Sequence, residues 1–335
     1  MKNRMKYWIL ALAAVAAMSC QNEDFLIPDT PEVQDGYVTI DFHTDVPVMD
    51  VVHTRAVDPD GGGVQQISVF CFDQNDLFIT VTTAKVVGDS GNMPLTGTFE
   101  TSVPDHAVTL QLVGNQNLTY FKEENYRGMS EVDVMAALEA SAGRMIYWAR
   151  KTVEELPSYN SASNPVQLLR NQAKITVASV GADDPSEWNG DYFQVTGYTI
   201  YNSQTYGTVA PRHAEKGFPT YGSQTYNLSH WSDESYVSLP DKAEALTEIV
   251  DVQERPEIYV FESENTESSP VNVIIKGRNI TDGEAGEELY YKAQILDQER
   301  GLLPIRRNHH YKFHIIGKLH NGSASFAEAV VGAAA

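Results

Sequence analysis

Cysteine is nearly absent from this chain: there are two in 335 residues, Cys20 and Cys71. Disulfides therefore do not frame the fold, and stability must come from buried apolar surface. Basic residues are also scarce. Lys and Arg number 24 against 45 Asp and Glu, a formal net charge of −21. That balance excludes nucleic acid as a partner, because phosphate backbones demand clustered Lys and Arg. Long apolar runs are missing too. The run from Tyr7 to Met18 has twelve residues, short of the about 20 that a helix needs to cross a bilayer. Three well-marked routes to catalysis are also absent. There is no G-x-S-x-G, no P-loop and no H-E-x-x-H, so the sequence reads as a non-enzyme without a cofactor.

What is present begins with a leader. Lys2, Arg4 and Lys6 precede the apolar run, and A-M-S-C ends at Cys20. A basic start, a short apolar core and small residues before a cut make a secretory signal, here residues 1–19. A Cys directly after small residues has the form of a bacterial lipobox and predicts acylation of Cys20. Residues 20–36 are acidic and Pro-bearing and read as a flexible tether.

Strand signals dominate the rest. Tyr37 to Val46 alternates: Val38, Ile40, Phe42 and Val46 face one way, and Thr39, Asp41, His43 and Asp45 the other. This is the pattern of a half-buried strand. Gln66 to Phe72 (Q-I-S-V-F-C-F) is apolar on both faces, which predicts a central strand with Cys71 as a small buried residue. Asp73 to Asp76 is a turn before a returning strand, and Leu95 to Val103 and Ala107 to Gly114 continue the hairpin spacing. One helix is predicted after Ser130 as N-cap, with Asp133 three residues on and Val132, Met135 and Leu138 as its buried stripe. Leu168 to Val177 reads as a strand pair or one bent strand. Gly181 to Pro185 marks a boundary between an N-terminal domain, 37–180, and a C-terminal domain, 181–335.

Candidate sites are few. Gly61 to Gly63 after D-P-D lack the remaining ligands of a calcium loop and read as linker. His310 and His314 share a strand face about 13 Å apart, too far to close a metal site. Trp188 to Tyr236 holds seven of 17 Tyr and two of four Trp. Aromatic faces stack on sugars, which makes this stretch the candidate for a surface glycan; the same residues are also ordinary strand formers.

Five segments together resemble the fimbrillins of Bacteroidales, the FimA and Mfa type. They are I-S-V-F-C-F-D-Q-N-D, L-L-R-N-Q-A-K-I-T-V, I-Y-N-S-Q-T-Y-G-T-V-A-P, I-Y-V-F-E with V-N-V-I-I-K-G, and I-R-R-N-H-H-Y (Ile305 to Tyr311). The matches run from about Val38 to Ala329. The resemblance implies an all-β fold of two transthyretin-like Greek-key β-sandwich domains with one or two short helices. It implies a structural fimbrial (pilus) subunit at the cell outer membrane, made as a lipoprotein and supporting adhesion. Its expected partners are other fimbrial subunits, an Arg-specific surface protease, the outer membrane through its lipid, and a host or bacterial surface glycan or protein. In this family the protease removes the first strand, and a donor strand from a neighbouring subunit fills the groove.

Arg55 suits that route. It is the only Lys or Arg between Lys6 and Lys85. A cut between Arg55 and Ala56 would release 20–55, taking with it the strand whose Val38, Ile40, Phe42 and Val46 plug the groove. The chain departs from the family at its end, where Ala327 to Ala335 has little room for a donor strand. That departure means either a truncated chain or a subunit that accepts a strand without giving one, at one end of a fibre; the alternative readings are a tip adhesin or glycan-binding surface lipoprotein, and an anchor subunit that keeps its lipid and its first strand.

Overall fold

The computed structural model describes residues 36–46, 50–52, 64, 66–87, 97–138, 140–141, 144–179, 190–211, 245–246, 257–297 and 301–334. Among these the architecture is all-β, with two short α-helices. The strand Ile67–Phe72 is buried at every residue, and its two faces serve two cores. Ile67, Val69 and Cys71 join one apolar cluster, and Phe70 and Phe72 join another. That accounts for a sequence apolar on both faces.

This strand is central to an eight-stranded sheet ordered Leu169–Arg170, Tyr147–Thr152, Thr109–Gly114, Ile67–Phe72, Phe78–Val86, Gly97–Pro104, Tyr37–Asp45, Val166–Gln167. The two ends of that order belong to one short stretch, 166–170. The sheet therefore curls round and closes through it, enclosing the first cluster. The turn expected at Asp73–Asp76 is present: Asp73 Oδ1 accepts from the backbone N–H of Asn75 and Leu77 at 2.8 and 3.0 Å, and Asp76 takes a left-handed φ of 58°.

The helix Glu131–Ala136 covers the second cluster. Ser130 caps it as expected, accepting from Asp133 N–H. Its buried face differs from the expected stripe. Glu131, Val134, Met135 and Leu138 are buried, while Val132 is only half-buried. True helical spacing of three and four residues replaces a strict spacing of three. Glu131 survives inside because Arg150 holds it with bonds of 2.8 and 3.0 Å, and Gln111 donates to it at 2.6 Å.

The second half pairs two smaller sheets. One runs Ile258–Val260, Ala173–Ser179, His309–Ile315, Asp50–Val52. The other places Asn272–Thr281 between Tyr192–Tyr201 and Leu289–Gln294. Ile175, Phe193, Tyr198, Val273, Ile275, Tyr291 and Tyr311 share the core between them. The strand Ala173–Ser179 precedes the boundary read at Gly181–Pro185, yet its partners are Ile258–Val260 and His309–Ile315. The helix Phe326–Val331 seats Phe326 and Ala329 against Ile274.

Candidate functional site

The first strand, Tyr37–Asp45, runs antiparallel to Gly97–Pro104 in unbroken register from Tyr37 opposite Pro104 to Thr44 opposite Gly97. Its other edge is held far less. Only Thr44 and Asp45 pair there, with Val166 and Gln167. His43 N–H donates to Tyr159 O, and Leu168 N–H to Asp45 O at 2.7 Å. Toward Tyr37 no other described strand pairs that edge.

The inward face follows the alternation. Ile40, Phe42 and Val46 are 6, 0 and 6% exposed. Phe42 stacks on Phe99 directly across the ladder, with ring centroids 5.9 Å apart. Val38 shares their side of the strand but is 39% exposed and does not join the core. Thr44 also points inward. It is fully buried, and its hydroxyl has no hydrogen-bond partner. The outward face is wet and polar, with Thr39 bonded to Ser102 at 3.2 Å and His43 to Thr98 at 3.1 Å. Burying three large apolar side chains stabilises the strand by about 1.5–3 kcal/mol each.

Sequence reasoning missed a second piece of this segment. Asp50–Val52 forms a strand parallel to His309–Ile315, Asp50 lying opposite His309 and Val52 opposite Tyr311. Its only sequence signal is the pair of β-branched residues Val51 and Val52, too short to stand out. The described strands N-terminal to Arg55 are thus tied into two different sheets. Cys20, Arg55 and Ala56 lie outside the described residues, as do Gly61 to Gly63 and the Gly181–Pro185 boundary.

Of the segments that carried the family resemblance, Ile67 to Asp76 lies in the eight-stranded sheet, and the others meet around Arg307 and Asn308. Arg307 is 2% exposed and bonds Glu262 through Nε and Nη2 at 2.8 and 2.7 Å. It also donates to Val209 O at 2.8 Å and Thr208 Oγ1 at 2.6 Å. Buried Arg170 donates to Asn308 Oδ1 at 3.0 Å, and Asn308 adopts φ 58°. His310 meets Thr176 at 2.8 Å and His309 meets the Arg307 carbonyl at 2.8 Å, so both histidines serve the fold. Gly207 lies against the Phe261 ring, where any Cβ would collide. The buried carboxylates Glu131 and Glu262 each face an arginine, and do not form an acid–base pair.

Of the aromatic stretch, Tyr198 and Phe193 belong to the core, Tyr201 packs on Phe326, and Tyr206 is 39% exposed. Residues 188–189 and 212–236 lie outside the described residues.

The profile of the family described as "Fimbrillin-A associated anchor proteins Mfa1 and Mfa2" matches residues 28–327. The chain belongs to this family. The family is one of fimbrial proteins, and not of enzymes. The major fimbrium tip subunit FimE of Porphyromonas gingivalis is 22% identical over 99% of this chain. The chain spans 56% of that relative's length. A fimbrial assembly protein from Parabacteroides distasonis superposes with TM-score 0.44 at 12% identity, over 83% of this chain and 90% of that one. A candidate cell adhesion protein of Bacteroides eggerthii gives 0.46 at 14%, over 87% and 89%.

Proposed function

We propose that this fimbrillin-family chain is a subunit of a cell-surface fimbrium, exported as a lipoprotein acylated at Cys20. It is cut after Arg55 by an Arg-specific surface protease and joined to other subunits by strand exchange. The observation that carries this reading is the seating of Tyr37–Asp45. The strand fills a core with Ile40, Phe42 and Val46, is laddered along one edge, and among the described residues is held on the other only near its end, at His43, Thr44 and Asp45. Its loss bares an apolar groove and the unpaired edge of Gly97–Pro104, which an extended strand from another chain is favoured to fill. The same cut frees Asp50–Val52 and so opens the edge of His309–Ile315 as well. The buried, unpartnered Thr44 hydroxyl weakens the resident strand, which suits a strand meant to leave.

A second reading, a terminal position in the fibre, is favoured by the comparisons. The family is described by its anchor proteins, and the curated relative is a tip subunit. An anchor would keep the lipid at Cys20 and the first strand. A tip would present a face to a host or bacterial surface glycan or protein.

The test replaces Arg55 with Ala in the producing bacterium and compares surface fractions on detergent gels. The expected result is high-mass, detergent-stable material from the wild type and membrane-bound monomer from the variant. Equal entry of both into fibres overturns the cleavage step and leaves the anchor reading in place.

A further inference from the structure

A cavity of about 310 Å³ opens between the loop after strand Thr109–Gly114, the end of the helix Glu131–Ala136, and Arg144–Ile146. That volume is at the lower end of small-ligand pockets, enough for one ring-sized group. Its apolar floor is made by Leu138 and Ile146, 5 and 2% exposed. Phe121 lines it too, held flat against Tyr126 with centroids 4.4 Å apart and planes 7° from parallel. Tyr120 stands at the rim, 89% exposed. A tyrosine so exposed beside a cavity is unlike most of the other described tyrosines, which are buried or half-buried.

The polar lining has a definite chemistry. Asn117 is fixed because its Oδ1 accepts from the Thr119 N–H at 3.0 Å and the Thr119 hydroxyl at 2.6 Å. Its amide therefore meets a ligand as a donor. Arg144 is exposed and tethered by an Nη1 bond of 3.3 Å to the Asn115 carbonyl. A guanidinium offers five donors in a planar fork that matches a carboxylate. Among the described residues no Asp or Glu lines the cavity, although the chain carries 45 of them and a net charge of −21. A guanidinium exposed at this pocket on an acidic protein favours an anion. Arg144 is the one cation among the described lining residues, and a single guanidinium suits a carboxylate better than a phosphate.

We propose that this cavity binds a carboxylate-bearing sugar, a uronic or sialic acid residue of a glycan. Arg144 takes the carboxylate, the Asn117 amide takes a ring hydroxyl, and the exposed face of Tyr120 covers the apolar face of the ring. None of the described lining residues belongs to the strand Tyr37–Asp45, and Ser141 at the cavity pairs with Tyr206. Its occupancy does not depend on cleavage or assembly, so it can fail or stand apart from the reading above.

The test titrates the full chain without its leader with free glucuronic acid and free N-acetylneuraminic acid, with glucose as the neutral control, by saturation-transfer NMR. Arg144→Gln and Tyr120→Ala are run beside it, both at exposed positions and both checked for an unchanged melting temperature. At least one acid should bind saturably, with glucose weaker by about tenfold or more, the loss expected of one charge-assisted hydrogen bond. Arg144→Gln should erase that preference, and Tyr120→Ala should weaken acid and neutral sugars alike. The proposal is overturned if neither acid binds, or if binding survives both substitutions. It is also overturned if a tripeptide with a free C-terminal carboxylate competes as well as the sugars do, which would make the cavity a general carboxylate site.

Discussion

Replacing Phe42 with Ala in the uncut chain, in the form that starts after Cys20, separates a plug from a passenger strand. Phe42 is fully buried, stacks on Phe99 and sits in the same cluster as Cys71. Truncating a buried Phe costs about 3–5 kcal/mol, the lost transfer energy plus the cavity left behind. That is a large share of the about 5–15 kcal/mol that holds an ordinary domain together. Val38→Ala is the internal control, because Val38 lies on the same side of the strand but is 39% exposed. Its effect should stay within about 0.5 kcal/mol. Two readouts follow each variant: the urea midpoint, and the rate at which a thiol reagent labels Cys71 at pH 8. Cys71 is fully buried, and burial, with Glu123 adding to it, pushes its thiol up to about 12. The native chain therefore labels hardly at all. If the strand closes the core, Phe42→Ala speeds labelling by about a hundredfold, the factor that 3 kcal/mol corresponds to, and Val38→Ala leaves it unchanged. Equal midpoints and equal labelling in the two variants would refute the argument that this strand fills the groove.

Thr44→Val keeps the shape of the side chain and removes a buried hydroxyl without a partner. It should raise the urea midpoint by the equivalent of about 1–2 kcal/mol and slow strand exchange in the cut protein. Arg307→Ala leaves Glu262 buried without its cation and should destabilise the chain by about 3–5 kcal/mol in urea unfolding. Acid should weaken the fold in a defined direction. The backbone N–H groups of Leu77 and Asn75 hold Asp73 below the usual carboxylate range, and Lys318 does the same for Asp191. Groups depressed in the folded state add stability above the unfolded pKa of about 4 and lose it as pH falls through the folded value. The urea midpoint should therefore be flat above about pH 5 and decline below about pH 4; a rise on acidification would contradict those contacts.

Much of the fold could be read where one physical signal acted alone. Alternation placed Tyr37–Asp45 with its inward residues, the two-faced run marked Ile67–Phe72 as central, and Ser130 marked the start of a helix. The elements left unread, and the one residue misplaced, met competing signals. Tyr147–Thr152 is a strand between Thr109–Gly114 and Leu169–Arg170, but Ala149, Arg150 and Lys151 are good helix formers and hide it. Val38 obeys the alternation, yet it lies beyond the edge of the core, a fact of three-dimensional extent that period two does not contain. Asp50–Val52 owes its strand to a partner more than 250 residues away. The candidate groove was legible because it rests on one alternating strand. The motif I-R-R-N-H-H-Y was visible as a resemblance, but its work emerges only when Arg307 meets Glu262 and Thr208. The cavity beside Tyr120 had no sequence signal, since Asn117, Leu138 and Arg144 come together only in the folded chain.

The central claim is that Tyr37–Asp45 leaves when the subunit matures. The most direct measurement is the N-terminus of the protein recovered from sheared fibres and from the membrane fraction, read by mass spectrometry. The account predicts a chain beginning at Ala56 in high-mass, detergent-stable material. A chain found only from acylated Cys20, in monomeric membrane material, would contradict it.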